Sequence, residues 1–124
     1  MINLQPKTLL THADLLLTDP PAALAGRWPS MVTVLIRQAL ERSIDQLWRL
    51  KLPEMESADR RPQLLCLGKF IDPEIAATAA NTWSELSAAC HQRAYDLPPT
   101  AGELARWYEA TEALVREVSR VTKA

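Results

Sequence analysis

The chain should fold as an all-α, up-and-down four-helix bundle with an extra short helix between the second and third main helices. Three observations predict it. Only 3 of the 124 residues are glycine, while Ala, Leu, Glu and Arg are abundant, a composition with high helix propensity and few of the β-branched runs that strands favour. Apolar residues recur at steps of three and four, the spacing that brings side chains to one face of a helix. The 9 prolines fall mostly at the ends of these periodic stretches, where they punctuate rather than interrupt.

The first helix is expected from about Pro6 to Leu17, with Leu9, Leu10, Ala13, Leu16 and Leu17 along its apolar side. TDPPAALAG, residues 18–26, ends it. The second should open near Trp28, with Pro29 in the first turn where its missing N–H costs nothing, and run to about Leu50. Val32, Leu35, Ile36, Ala39, Leu40, Ile44, Leu47 and Trp48 make its stripe wide enough to pack on two neighbours, so this is the expected central helix. LPEMESADRRP, residues 52–62, reads as a charged connection, and QLLCLGKFI as a short buried helix ended near Gly68.

Asp72, Pro73 and Glu74 form a strong helix start: a side-chain acceptor, a proline in the first turn, and an acid at the positive end of the dipole. That third main helix should reach about Gln92, with Ala76, Ala79, Ala80, Trp83, Leu86, Ser87 and Cys90 on one side. The last begins at Thr100, whose TAGE sequence is a capping box with Glu103. Leu104, Trp107, Thr111, Leu114, Val118 and Val121 then form a seam, for antiparallel packing or for a partner helix. One domain, residues 1–124, accounts for the whole length.

Charge is nearly balanced, 14 Lys plus Arg against 15 Asp plus Glu, so no net field draws the protein to nucleic acid or to an anionic surface. No apolar run is long enough to span a membrane, and MINLQPKTLL lacks the layout of a signal peptide. A cytoplasmic protein without a membrane partner is the expectation. Cys66 and Cys90 form no Cys-x-x-Cys pair and suit reduced core thiols. With 2 histidines and 2 cysteines a familiar zinc spacing is out of reach, and no Gly-x-Ser-x-Gly elbow or glycine-rich phosphate loop is present. Nothing in the sequence asks for a metal or another cofactor.

Candidate chemistry gathers in LSAACHQRAYDLPPTAGEL, residues 86–104. Ser87 and His91 are four apart and share a helix face, so hydroxyl and imidazole could cooperate on a polar ligand; a histidine in the last turn also suits the exposed carbonyls there. Tyr95 and Asp96 precede Pro98 and Pro99 in a loop that turns the chain back. On the second helix Gln38, Glu41 and Asp45 line one edge. Their plain role is a solvated face with ion pairs to a neighbour such as Arg49, and the sharper one has Glu41 orienting a cation or histidine at a cleft. Trp48, Trp83 and Trp107 fall on apolar stripes as core residues, and a ligand pocket beneath Trp83 and Tyr95 is a further alternative.

VLIRQALERSIDQLW, residues 34–48, together with WSELSAACHQRAYDL, residues 83–97, resembles the HEPN superfamily of small bacterial helical bundles over about residues 28–121. The resemblance implies a homodimer formed through the helices that bear the histidine. In active relatives the paired sites make a metal-independent ribonuclease, and members serve as toxins beside an antitoxin, as defence effectors or as inactive partner subunits. It implies a catalytic role for His91, beside which the residues of this chain offer Arg93 and Ser87 as further catalytic candidates and Glu41, Arg42 and Tyr95 as binding candidates. The superfamily places an arginine four to six residues ahead of the histidine, where this chain has Ser84 to Leu86, and its tyrosine two beyond, where this chain has Tyr95 four beyond. Metal-free RNA cleavage needs an acid or base for the 2′-hydroxyl and a cation for the developing phosphorane charge. His91 suits the first need, and Arg93 or Arg42 the second. An inactive bundle acting as a protein–protein interaction module, through the seam of the last helix or a dimer groove, is the alternative.

Overall fold

The computed structural model describes residues 5–20, 26–91 and 97–123, and within them every regular element is helical. In chain order these are α1 (Pro6–Thr18), α2 (Trp28–Lys51), a 3-10 turn (Pro53–Ser57), α3 (Arg60–Cys66), a second 3-10 turn (Leu67–Lys69), α4 (Pro73–Cys90) and α5 (Ala101–Thr122). The all-α bundle and the additional short helix are both as expected.

Local chemistry sets the boundaries. Pro6, Pro29 and Pro73 occupy the first turns of α1, α2 and α4, where a proline loses no hydrogen bond. Asp72 Oδ1 accepts the backbone N–H groups of Glu74 and Ile75 at 2.9 and 3.2 Å. At Thr100 the capping box is complete, with the Glu103 N–H donating to Thr100 Oγ1 and the Thr100 N–H to Glu103 Oε1. Gly26 leads into α2 with φ of 78°, a left-handed conformation that a side chain would strain.

The short-helix region departs from expectation in extent. Arg60, Arg61 and Pro62 belong to α3 rather than to the connection, because Pro62 lies in the first turn and is tolerated there. PEMES, read as linker, closes a 3-10 turn with the Met55 N–H bonded to Leu52 O. The reason is Gln63: it is buried, and its Nε2 donates to Met55 O at 2.7 Å. Leaving a buried amide unpaired is costly, and here the bond holds the connection against α3.

α2 is the central helix, as expected, and packs against α1, α4 and α5, one neighbour more than its stripe predicts. Val32, Ile36, Ala39, Leu40, Ile44, Leu47 and Trp48 on it have no solvent exposure, each large one stabilising the fold by about 1.5–3 kcal/mol. Trp48 meets Phe70, just ahead of α4, edge-on at 5.1 Å, while Glu41 meets Trp83, so α2 and α4 run antiparallel. α4 and α5 do too, since Asp72 bonds Glu117 and Glu85 bonds Trp107. The start of α1, Gln5 and Pro6, adjoins Arg49 and Leu50 at the end of α2. The four long helices therefore alternate in direction.

The seam of α5 is consumed by this packing. Leu104, Trp107, Thr111, Leu114 and Val118 are all buried in the core. They are not a surface for a partner helix, which corrects that alternative: antiparallel packing within the chain claims the face first.

Candidate functional site

α4 ends at Cys90, and His91 is its C-cap, with the backbone N–H bonded to Ala88 O and Ala89 O. The residue is exposed. Ser87, one turn earlier, is placed differently: its hydroxyl is buried and has no hydrogen-bond partner. Helical spacing aligns the two residues, but the Ser87 Oγ faces the interior of the bundle and His91 stands at its end. Arg93 and Tyr95 lie outside the described residues, and with Tyr95 so does one side of the alternative pocket beneath Trp83 and Tyr95.

A mainly apolar depression adjoins this end of α4. Glu85, Ala88 and Ala89 border an open depression of about 810 Å³ completed by Leu97, Pro98, Pro99, Thr100, Glu103 and Trp107. Leu97 is 90 % exposed and Ala88 is exposed as well. Trp107 is buried, and its indole N–H donates to Glu85 Oε1 at 2.9 Å, with Arg106 Nη2 at 3.3 Å from the same oxygen. This polar clasp fixes the depression's floor.

Glu41 is at the centre of a second polar cluster, between α2, α3 and α4. Its Oε2 accepts the Trp83 indole N–H at 3.0 Å and lies 3.7 Å from Arg37 Nε and 3.8 Å from Arg60 Nε. Arg60 Nη1 donates to Asp45 Oδ1 and to Gln63 Oε1, each at 2.8 Å. These contacts are the plain role, a face with ion pairs, and the expected pairing toward Arg49 gives way to Arg37 and to Arg60 from α3. The sequence could not reveal this, because Arg60 reaches α2 only once the connection has folded. Arg37 Nε is buried without a hydrogen bond. It lies on the α2 turn facing the Ser87 turn of α4, since the antiparallel helices place Arg37 and Ser87 one turn beyond the Glu41–Trp83 contact on the same side.

Arg42 looks elsewhere. With Gln5, Pro6, Asp45, Gln46, Arg49 and Leu50 it lines a cleft of about 300 Å³ between α1 and α2. The level of His91 is eight residues along α4 from the Glu41–Trp83 contact, and Arg42 is one residue the other way. That sets them roughly 13–14 Å apart along the bundle axis at ~1.5 Å per residue. Within one chain the fold does not bring Arg42 to His91.

Fold and sites together define a five-helix all-α bundle with an exposed histidine capping its fourth helix. Comparison with protein-family models, with curated proteins and with solved structures finds no match to this chain. Among the described residues no helix is long and apolar enough to cross a membrane.

Proposed function

We propose that the protein is a HEPN-like bundle that works as a homodimer and binds or cleaves RNA without a metal, in a bacterial defence or toxin–antitoxin setting. One observation carries the reading: the exposed His91 at the end of α4 stands beside an apolar depression that a second copy would cover. A two-fold contact there sets two His91 residues near each other. Each imidazole then exchanges a proton with the 2′-hydroxyl or the leaving oxygen, and Arg93 supplies the cation for phosphorane charge. Ser87, whose hydroxyl is buried one turn behind, does not reach the RNA and takes no part in the proton transfer.

The expected result is RNA degradation in the presence of a chelator, lost in His91→Ala while the helical circular dichroism is unchanged. Light scattering should give twice the chain mass, falling to one in Ala88→Glu. Wild type and His91→Ala that leave RNA equally intact overturn the catalytic part, and the protein is then a non-catalytic interaction module.

A further inference from the structure

On the side of the bundle away from the depression, α1 and α5 bound a groove of about 590 Å³. Its floor is apolar, made by Leu10, Tyr108 and Val115, which pack on the smaller core cluster with Leu9 and Ala39. Its rim is basic: Lys7 on α1, Arg116 and Arg120 on α5 and Lys123 at the C-cap of α5, against one lining carboxylate, Glu112. Arg116 pairs with Glu112 at 2.8 Å and Arg120 with Glu117 at 2.8 Å. No ion pair engages Lys7 or Lys123 among the described residues. In a chain whose net charge is −1, the groove carries a local excess of positive charge.

The charge is graded along the length. α1 and α5 are antiparallel, which brings Lys7 to the Arg120 and Lys123 end. The opposite end holds Tyr108, whose hydroxyl is pushed up by burial first and then by the charges of Asp14 and Glu112. From Tyr108 to Lys123 the groove is roughly 22 Å long at ~1.5 Å rise per residue, the span of a four-turn helix.

The geometry points to an amphipathic acidic helix of a partner protein as the occupant of this groove, its apolar face on Leu10, Tyr108 and Val115 and its carboxylates against Lys7 and Lys123. A helix has a negative C-terminal end, so it seats with that end at Lys123 and runs parallel to α5. A second copy of this chain fits poorly, because the groove is not self-complementary and a head-to-tail contact leads to open chains rather than a closed dimer. The proposal is independent of the chemistry assigned to His91.

The probes are labelled peptides of about 16 residues, the length that spans the groove. Both carry leucines at three- and four-residue steps, with glutamates on the other face in one and lysines in the second. Fluorescence anisotropy should show saturable binding of the glutamate peptide, with Kd below about 100 μM, and at least tenfold weaker binding of the lysine peptide. Lys7→Glu/Lys123→Glu, both on exposed residues, should weaken the glutamate peptide at least tenfold and leave any RNA cleavage unchanged. Val115→Glu, checked for retained helicity, should abolish binding. Equal affinity for the two peptides, or no saturable binding up to about 1 mM, overturns the proposal. So does single-stranded RNA or an anionic vesicle binding in a way that the double variant abolishes while the glutamate peptide does not bind.

Discussion

Glu117 is the residue that most repays attention at the level of single side chains. It lies on the core side of α5, 7 % exposed, yet carries a charge. Its Oε2 accepts the Asp72 backbone N–H at 2.8 Å, and Arg120 donates to both its oxygens at 2.8 and 3.0 Å. These contacts, Arg120 first and Asp72 second, hold its carboxyl below the ordinary glutamate value of 4.5. A depressed folded-state value means the stabilisation is full at neutral pH and is lost as pH falls below 4.5 and through the lower folded value. Glu117→Gln should therefore cost about 1 kcal/mol at pH 7, a modest figure because Arg120 is largely in water, and should flatten the acid limb of a Tm-against-pH curve. An unchanged acid limb contradicts this account. The sequence gives no sign of it: Glu117 is one acid among 15 Asp and Glu, and only the antiparallel return of α5 brings it to Asp72. Asp72 and Thr100, by contrast, were readable as caps, since capping depends on residues three or fewer positions away.

For whole helices, what was legible followed the same rule of distance. Periodicity and prolines marked α1, α2, α4 and α5, because the apolar stripe of a helix is written along its own sequence. α3 was harder, since Arg60 and Arg61 read as linker until Asp45 and Glu41 of α2 claim Arg60. The helix pairs are joined by a repeated device, a tryptophan N–H given to a glutamate: Trp83 to Glu41 between α4 and α2, and Trp107 to Glu85 between α5 and α4. An indole packs as an apolar body yet needs a partner for its one donor. A double-mutant cycle of Trp83→Phe and Glu41→Ala, read by denaturant unfolding, should give a coupling of about 0.5–1.5 kcal/mol. Additive losses mean that Glu41 serves the arginines alone.

Across the whole molecule, the antiparallel order sets which groups can meet. Cys66 stands near the beginning of α4 and Cys90 at its end, and both are free thiols. The 18 residues of α4 separate them by roughly 27 Å at ~1.5 Å per residue, where a disulfide needs Cα atoms within about 7 Å. Excess dithiothreitol should leave Tm unchanged, and a fall on reduction is incompatible with this arrangement. The same order explains the partial legibility of the candidate site. His91 and Ser87 were identifiable from local spacing, but that the serine hydroxyl turns inward while the histidine stands outside depends on how α4 rotates against α2. Arg42, near in sequence to Glu41, opens to α1 instead, a choice made by the bundle and not by the helix.

Asp72 is held twice, its carboxylate on the first turn of α4 and its own N–H on Glu117 of α5. Fraying of α5 back past Glu117 therefore also strips the partner from the backbone N–H at the root of α4, so the end of one helix and the beginning of its neighbour are coupled through a single aspartate.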